Sequence, residues 1–307
     1  MRELRTGHNL SDTKKTFEQE GLVSVDFGFP ESLLGEAADF IKSRDEWPAA
    51  SHGNQPVLYH GVRLQDAWQY NRAVREIAVY PTVLEFLEAI YGKEPLPFQT
   101  LNFPIGTEQP AHSDTVHFNC WPNDGSMCGV WVALEDVDDE NGPLIYYPGS
   151  HKLPELFPLN FNCSDYKDYE IKLAQFIKSI KLQPRLATLK RGEAVVWAAN
   201  LLHGGGSVKD LKRTRLSQVT HYAFKGSEFH WRPRLSNLMT GQIVRFTPQF
   251  IQKSKAPSST ASGKLNRLAQ YQFRKRGSGP YPGPLKTFFR KFCPPFLLQI
   301  ARRLRAR

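Results

Sequence analysis

The chain has 307 residues, 40% of them hydrophobic, and carries 40 Lys plus Arg against 30 Asp plus Glu for a formal charge of +10. That length allows one large domain with appendages, and no stretch approaches the roughly 20 apolar residues of a membrane-spanning helix. Four cysteines, Cys120, Cys128, Cys163 and Cys293, show no C-x-x-C spacing, which argues against a zinc knuckle or a disulfide framework and favours a reducing, cytoplasmic setting.

The N-terminus, Met1 to His8, has charge but no apolar run behind it, so no signal peptide is expected. A short helix over Thr16–Glu20 and a strand over Leu22–Asp26 follow. Pro30-Glu31-Ser32-Leu33-Leu34 starts a second helix, with acid in the early turn where the helix dipole favours it. Between Gln69 and Tyr91, Val74, Ile77, Ala78, Val83, Phe86, Leu87 and Ile90 recur at helical intervals, and Pro81 is expected to start a separate helix.

From Leu96 the texture changes to short β-like runs. Phe98–Phe103 alternates, Pro104-Ile105-Gly106 breaks it, and a strand carrying His112 follows. Gly129–Val137 reads as another strand, and the Asn141-Gly142 turn leads into a return strand over Pro143–Pro148. Residues 152–184 form an insertion with a helix over Tyr169–Ile180, and Gly192–Ala198 and Arg213–Tyr222 supply two more strands. Such spacing predicts a mainly β fold with flanking α-helices, a closed or double-sheet arrangement rather than a parallel α/β sheet.

Beyond Ile251 the composition shifts. That segment holds 14 Lys plus Arg and no acid, leaving 26 basic against 30 acidic residues elsewhere. The chain therefore divides into a domain over 1–250 and a basic C-terminal extension over 251–307, in which linkers such as Ala256–Gly263 alternate with segments mixing aromatics and arginines. Two readings of the extension stay open: a solvated or core-packed basic tail, and peripheral contact with an anionic membrane surface. No nucleic-acid partner is expected, because no platform of aromatic and basic residues accompanies the candidate site.

That site begins at His112-Ser113-Asp114. On an extended strand, residues two apart leave the same face, so His112 and Asp114 would form a two-point chelate. A second histidine completes a two-His-one-carboxylate set, the arrangement that holds Fe(II) and leaves positions open for other ligands. His203 stands just past a strand, followed by Gly204-Gly205-Gly206, which permit close backbone approach. Twelve residues on is Arg215, sharing a strand face with Ser217; a buried guanidinium holds a carboxylate through two parallel hydrogen bonds, and a hydroxyl adds a third. Arg213 has the same parity, so alternation alone does not choose between the arginines. For His117 and His221 a place near the pocket stays open beside the preferred reading as ordinary hydrogen-bonded histidines, and His151 is read as structural.

The ordered set His112-x-Asp114, Trp131-Val132-Ala133-Leu134-Glu135-Asp136, Glu140-Asn141-Gly142-Pro143-Leu144, Pro148-Gly149-Ser150-His151-Lys152, His203-Gly204 and Arg215-Leu216-Ser217 resembles the phytanoyl-CoA dioxygenase family, from roughly Phe17 to Phe224. The resemblance implies a double-stranded β-helix (jelly roll, cupin-like) and a dioxygenase using Fe(II), 2-oxoglutarate and O2 to hydroxylate a small-molecule substrate with release of succinate and CO2. It implies His112, Asp114 and His203 as metal ligands. It makes Arg215, with Ser217, the partner of the distal carboxylate of 2-oxoglutarate, and Gln99 and Trp131 further cosubstrate contacts. The carboxylate of Asp114 also sets the chain apart from related halogenases, in which a small residue stands there. A non-oxygenase metal-dependent isomerase and an inactive interaction protein on the same fold are the alternatives. The insertion at 152–184 and the region 225–250 are the expected pocket walls.

Overall fold

Local rules set the N-terminal helices. The computed structural model describes residues 10–43, 63–116, 118–121, 127–153, 161, 163, 166–231, 244–245 and 248–252. Helix α1 spans Leu10–Glu20, strand β1 Leu22–Asp26 and helix α2 Glu31–Lys42. Strand β2 (Leu64–Gln65) precedes helices α3 (Arg72–Ala78) and α4 (Pro81–Tyr91). The Asn71 side chain caps α3 by accepting from the Val74 N–H at 2.9 Å. Pro81 takes the first turn of α4, so the apolar pattern over 69–91 splits there as its sequence foretells. Gly92, at φ +67°, ends α4 in the left-handed conformation.

The β elements follow as β3 (Pro95–Phe103), β4 (Phe118–Trp121), β5 (Met127–Ala133), β6 (Leu144–Tyr146), β7 (Arg185–Ala187), β8 (Glu193–Ala198), β9 (His203–Gly205), β10 (Ser217–Phe224), β11 (Glu228–Trp231) and β12 (Val244–Arg245), with helix α5 (Tyr166–Ser179) between β6 and β7. The larger sheet runs β1-β8-β5-β10-β3-β2, a second runs β7-β6-β9, and β12-β11-β4 forms a third. Every strand pair among the described residues is antiparallel, and most neighbours are far apart in the chain, so the sheets are not built from parallel βαβ units.

Alternation along the strands sorts the core into two layers. Val23, Val25, Val130, Val132, Val196, Tyr222 and Phe224 pack outward against α1, α2, α3 and α4. Leu101, Phe103, Trp131, Val195, Trp197 and Val219 point inward and meet Tyr146 and Ala187 of the second sheet. Helices thus cover the outer face of the large sheet while the second sheet closes over part of its inner face. This is why β3 and β5 are buried on both faces along almost their whole length, rather than alternating polar and apolar as Phe98–Phe103 suggests in isolation.

Three expectations are corrected. Asn141-Gly142 does not close a hairpin: β5 pairs with β8 and β10, whereas β6 pairs with β7 and β9 in the other sheet. The Asn141 side chain instead accepts from the Asp138 N–H and donates to the Asp136 and Thr214 carbonyls, so it pins a crossing between sheets. Arg213 and Arg215 lie before β10, which begins at Ser217. His112 and Asp114 do not share a continuous strand, because a 3-10 turn begins at Asp114.

Ile251 is buried against Leu64, Ala67 and Trp68, and its N–H donates to the Pro97 carbonyl at 2.8 Å. Residues 253–307 lie outside the described residues. Among the described residues, no helix is long and apolar enough to cross a membrane.

Candidate metal centre

His112 and His203 meet through a two-way backbone bridge, each N–H donating to the other's carbonyl at 2.9 and 3.0 Å. The glycines after His203 make this approach possible. A Cβ on Gly204 would lie 2.6 Å from the Gln109 carbonyl oxygen, and one on Gly205 2.6 Å from the Glu108 nitrogen. The His112 segment therefore lies against β9 with its imidazole beside that of His203, the ring centroids 4.5 Å apart.

After His112 the chain turns. The Val116 N–H donates to the Ser113 carbonyl, and the Ser113 hydroxyl donates to the Ala199 carbonyl while accepting from the Thr115 N–H. A 3-10 turn over Asp114–Val116 replaces the expected extended strand. Local Ser and Thr hydrogen bonds compete with the ladder here, yet the turn still delivers the carboxylate. Asp114 Oδ1 lies 3.8 Å from both His112 Nε2 and His203 Nε2, and the three ligand atoms fall within 4.8 Å of one another.

Hydrogen bonds at the far side of each ring define what faces the centre. His112 Nδ1 is 3.0 Å from the Pro110 carbonyl, and His203 Nδ1 is 3.0 Å from the Leu201 carbonyl. A carbonyl can only accept, so both Nδ1 atoms carry protons and a neutral ring presents an Nε2 lone pair to the centre. Burial alone would raise the Asp114 pKa, but the positive charge of His203 when protonated, the hydrogen bond and charge of His221 and the charge of His112 outweigh it and hold the carboxylate well below its usual range; a bound cation would take the place of the protons on the two ligand rings. Two neutral imidazole nitrogens and an ionised carboxylate, all buried, match the donor set for a divalent transition metal, so the residues fit the ion.

The larger sheet supplies the rest of the surroundings. Trp197 Nε1 donates to Asp114 Oδ2 at 2.8 Å, and His221 Nε2 lies 3.5 Å from the same oxygen. Gln99 Oε1 lies 2.9 Å from His221 Nδ1, so Gln99 reaches the site through His221. Trp197 and Gly129 are the contributors that sequence reasoning missed. A glycine inside a fully buried strand was the available signal, because it marks close approach by another group. His117 lies outside the described residues. His151 is bonded at 3.2 Å to the Glu18 carbonyl of α1, away from the ligand set.

Arg215 and Arg213, equivalent by parity, are separated by their surroundings. Arg213 is part-exposed and paired with Asp138 at 2.8 Å. Arg215 is buried: Nη1 donates to Ser217 Oγ at 2.9 Å and Nη2 to the Ile105 carbonyl at 3.2 Å. Its guanidinium carbon lies 5.2 Å from the Trp131 ring centroid and 5.5 Å from that of Phe103. Burial pushes its pKa down to about 10, with Glu135 partly offsetting the shift, so it remains a cation at neutral pH. Nε has no hydrogen-bond acceptor, and among the described residues no carboxylate pairs with this charge. A buried cation left so calls for an anion from outside the chain.

Of the two expected pocket walls, described residues of the insertion lie beside the ligands, whereas 232–243 and 246–247 of the second lie outside the described residues. Cys163, Tyr169, Leu173 and Ile177 pack with Val116, Tyr147 and Leu202, and with part-buried Ala111, Phe161 and Tyr166. The insertion therefore touches a sequence neighbour of His112 and of His203, and the turn that begins at Asp114. The backbone of β11 pairs with β4, the strand that follows that turn. The Tyr166 hydroxyl has its pKa raised by burial, then by the charges of Glu170 and Asp114, which sets the start of α5 within electrostatic reach of the centre.

Known proteins share this plan. The phytanoyl-CoA dioxygenase profile matches residues 17–215. The peroxisomal phytanoyl-CoA dioxygenase of Rattus norvegicus is 27% identical over 169 residues, covering 51% of this chain and 48% of that protein. Phytanoyl-CoA dioxygenase domain-containing protein 1 of Danio rerio is 36% identical over 109 residues, covering 32% of this chain and 34% of that one. The matched regions thus span about half the length, or less, of these curated relatives.

Among solved structures, the non-heme alpha-ketoglutarate-dependent carbocyclase SnoK from nogalamycin biosynthesis superposes with a TM-score of 0.59 at 15% identity, over 80% of this chain and 95% of its own. The epimerase SnoN in complex with Fe3+, alpha-ketoglutarate and nogalamycin RO gives 0.55 at 20% identity, over 73% and 86%. At these identities the superpositions establish the fold, a double-stranded β-helix with flanking helices. Joined to a profile match that runs from α1 to Arg215, they lead to one assignment: the chain belongs to the phytanoyl-CoA dioxygenase family.

Proposed function

We propose that the protein is an Fe(II)- and 2-oxoglutarate-dependent dioxygenase that hydroxylates an unactivated carbon of a small or amphiphilic metabolite, releasing succinate and CO2. His112, Asp114 and His203 would hold the iron; Arg215 and Ser217 would take the distal carboxylate of 2-oxoglutarate, with Trp131 and Gln99 alongside. When bound, the iron and oxo acid together supply the oxidising chemistry with dioxygen. The chain binds, orients and shields.

The observation that carries this reading is the unpaired Arg215 cation on the same sheet face as the metal-ligand set. Trp131, on which the guanidinium rests, is two residues along β5 from Gly129, which pairs with His221 and Trp197 at the level of Asp114. Two residues of strand are about 7 Å, a gap that a five-carbon diacid bridges. Trp131 and Phe103 exclude water from the guanidinium, so its hydrogen bonds to a carboxylate act at low dielectric.

Part-buried Ala111, Phe161 and Tyr166, packed on the buried Tyr169 and Leu173, offer apolar surface next to the ligand set, which supports a substrate with an apolar body. The peroxisomal relatives are named for phytanoyl-CoA; the match covers the metal-binding region and leaves the acyl and thioester partners of this chain open to substrate screening.

The test is anaerobic titration of 2-oxoglutarate into Fe(II)-loaded protein, followed by visible absorption. A metal-to-ligand charge-transfer band is expected, lost in His112→Ala and weakened in Arg215→Ala, with succinate release then used to screen substrates. No band in folded, iron-loaded wild type would remove the oxygenase reading and favour a non-oxygenase relative on the same fold.

A further inference from the structure

The two oxygens of Asp114 have different partners. Oδ1 faces the Nε2 atoms of His112 and His203, while Oδ2 faces the large sheet. The groups that meet Oδ2 come from one row across that sheet. Trp197 of β8 pairs with Gly129 of β5, Gly129 pairs with His221 of β10, and His221 pairs with Gln99 of β3. Their side chains therefore leave the same face at the same level.

Gly129 is what lets the row converge. A Cβ there would lie 2.2 Å from Trp197 Cζ2 and 2.3 Å from Cε2, so the indole lies flat across the glycine. From that position Nε1 reaches Asp114 Oδ2 at 2.8 Å. On the other side of Gly129, His221 approaches the same oxygen at 3.5 Å. The Phe98 and Phe118 rings beside its imidazole, with centroids 6.2 and 5.3 Å away, and its bond to Gln99 limit how that ring can turn.

We propose that the row Trp197, Gly129, His221 and Gln99 is a carboxylate-positioning device that holds the outer oxygen of Asp114 and offers Oδ1 alone to the metal. The proposal deepens the iron assignment and rests on it. A carboxylate free to turn can chelate a metal through both oxygens and fill an extra coordination position. One whose Oδ2 is engaged by an indole N–H takes a single position, leaving more of the ion for cosubstrate and dioxygen. Groups that hydrogen-bond a metal ligand tune affinity about 10- to 100-fold. Trp197 and His221 are positioning residues in this scheme, acting through Asp114.

The experiment uses the full chain, with Mn(II) as the probe ion. Infrared difference spectra of protein labelled with 13C at the Asp carboxylates, metal-bound minus metal-free, report the separation of the antisymmetric and symmetric carboxylate stretches. That separation is wide for one-oxygen binding and narrow for chelation, and Asp114→Ala identifies the band. Wild type should show the wide separation. Trp197→Phe, which keeps the ring and removes the donor, should narrow it and weaken Mn(II) binding about tenfold.

Gly129→Ala should reproduce both effects without removing any polar atom; if it fails to fold, by circular dichroism, Trp197→Phe carries the test. His221→Leu should weaken binding less than Trp197→Phe. A narrow separation in wild type, or a Trp197→Phe spectrum and affinity equal to wild type, overturns the positioning role while leaving the metal site intact. Wild type that fails to bind Mn(II) through Asp114 overturns the metal assignment itself, and the positioning role with it.

Discussion

Arg215 carries a burial that is unfavourable for the fold, and the proposed role as carboxylate partner would account for its presence. Its guanidinium is buried between two aromatic rings, satisfied at Nη1 and Nη2 but not at Nε. Removing such a charge in favour of an apolar side chain of similar volume is often neutral or stabilising. Arg215→Met should therefore leave the melting temperature of the ligand-free protein unchanged or higher. The same substitution should weaken 2-oxoglutarate about 100-fold, because two charge-assisted hydrogen bonds are lost. Calorimetry with and without 2-oxoglutarate in the presence of Mn(II) checks both signs. A large fall in ligand-free stability would make Arg215 a structural residue, and undiminished affinity would move the cosubstrate elsewhere.

At the level of elements, the loop between β5 and β6 connects stability to the site. Asn141 is almost fully buried, and its amide bonds Asp138, Asp136 and Thr214, the last one residue before Arg215. Asn141→Ala removes three hydrogen bonds, each contributing about 0.5 to 1.5 kcal/mol, so a loss of about 2 to 4 kcal/mol is expected in urea unfolding. Weaker 2-oxoglutarate binding should accompany it as the Arg215 segment loosens, and destabilisation below about 0.5 kcal/mol would mean that water replaces the amide. The same loop marks the limit of reading local signals. Asn141-Gly142 has the residue types of a tight turn, and Gly142 does adopt φ +83°, but which sheet receives β6 depends on partners far away in the chain. His112 and Asp114 were legible for the opposite reason: their chemistry is local, and a chelating pair survives the exchange of an extended strand for a 3-10 turn. Trp197, Gly129 and His221 meet only because β8, β5 and β10 are neighbours, a relation that separations of 24 to 92 residues conceal.

At the scale of the whole molecule, the ligand set joins the two layers. His203 lies on the second sheet and His112 is bridged to it, whereas Asp114 is held by Trp197 of the large sheet. Helices α1 to α4 pack on the outer face of the large sheet, so on its inner side the apolar contacts of Trp131, Val195, Tyr146 and Ala187 act together with whatever the three ligand side chains bind. A divalent ion bound there would favour the closed pair of sheets, since it binds the folded state and has no preformed site in the unfolded chain. At a free metal concentration 100 times Kd this linkage contributes about 2.7 kcal/mol, which for a domain of this size raises the melting temperature by about 5 to 10 °C. Scanning calorimetry of the protein with EDTA and then with graded Mn(II) measures it. The shift should grow with the logarithm of free Mn(II) and vanish in Asp114→Ala. A metal-independent melting temperature in wild type, with Mn(II) bound at the site by electron paramagnetic resonance, would mean that the unfolded chain binds the ion equally well and that the centre does not clasp the sheets.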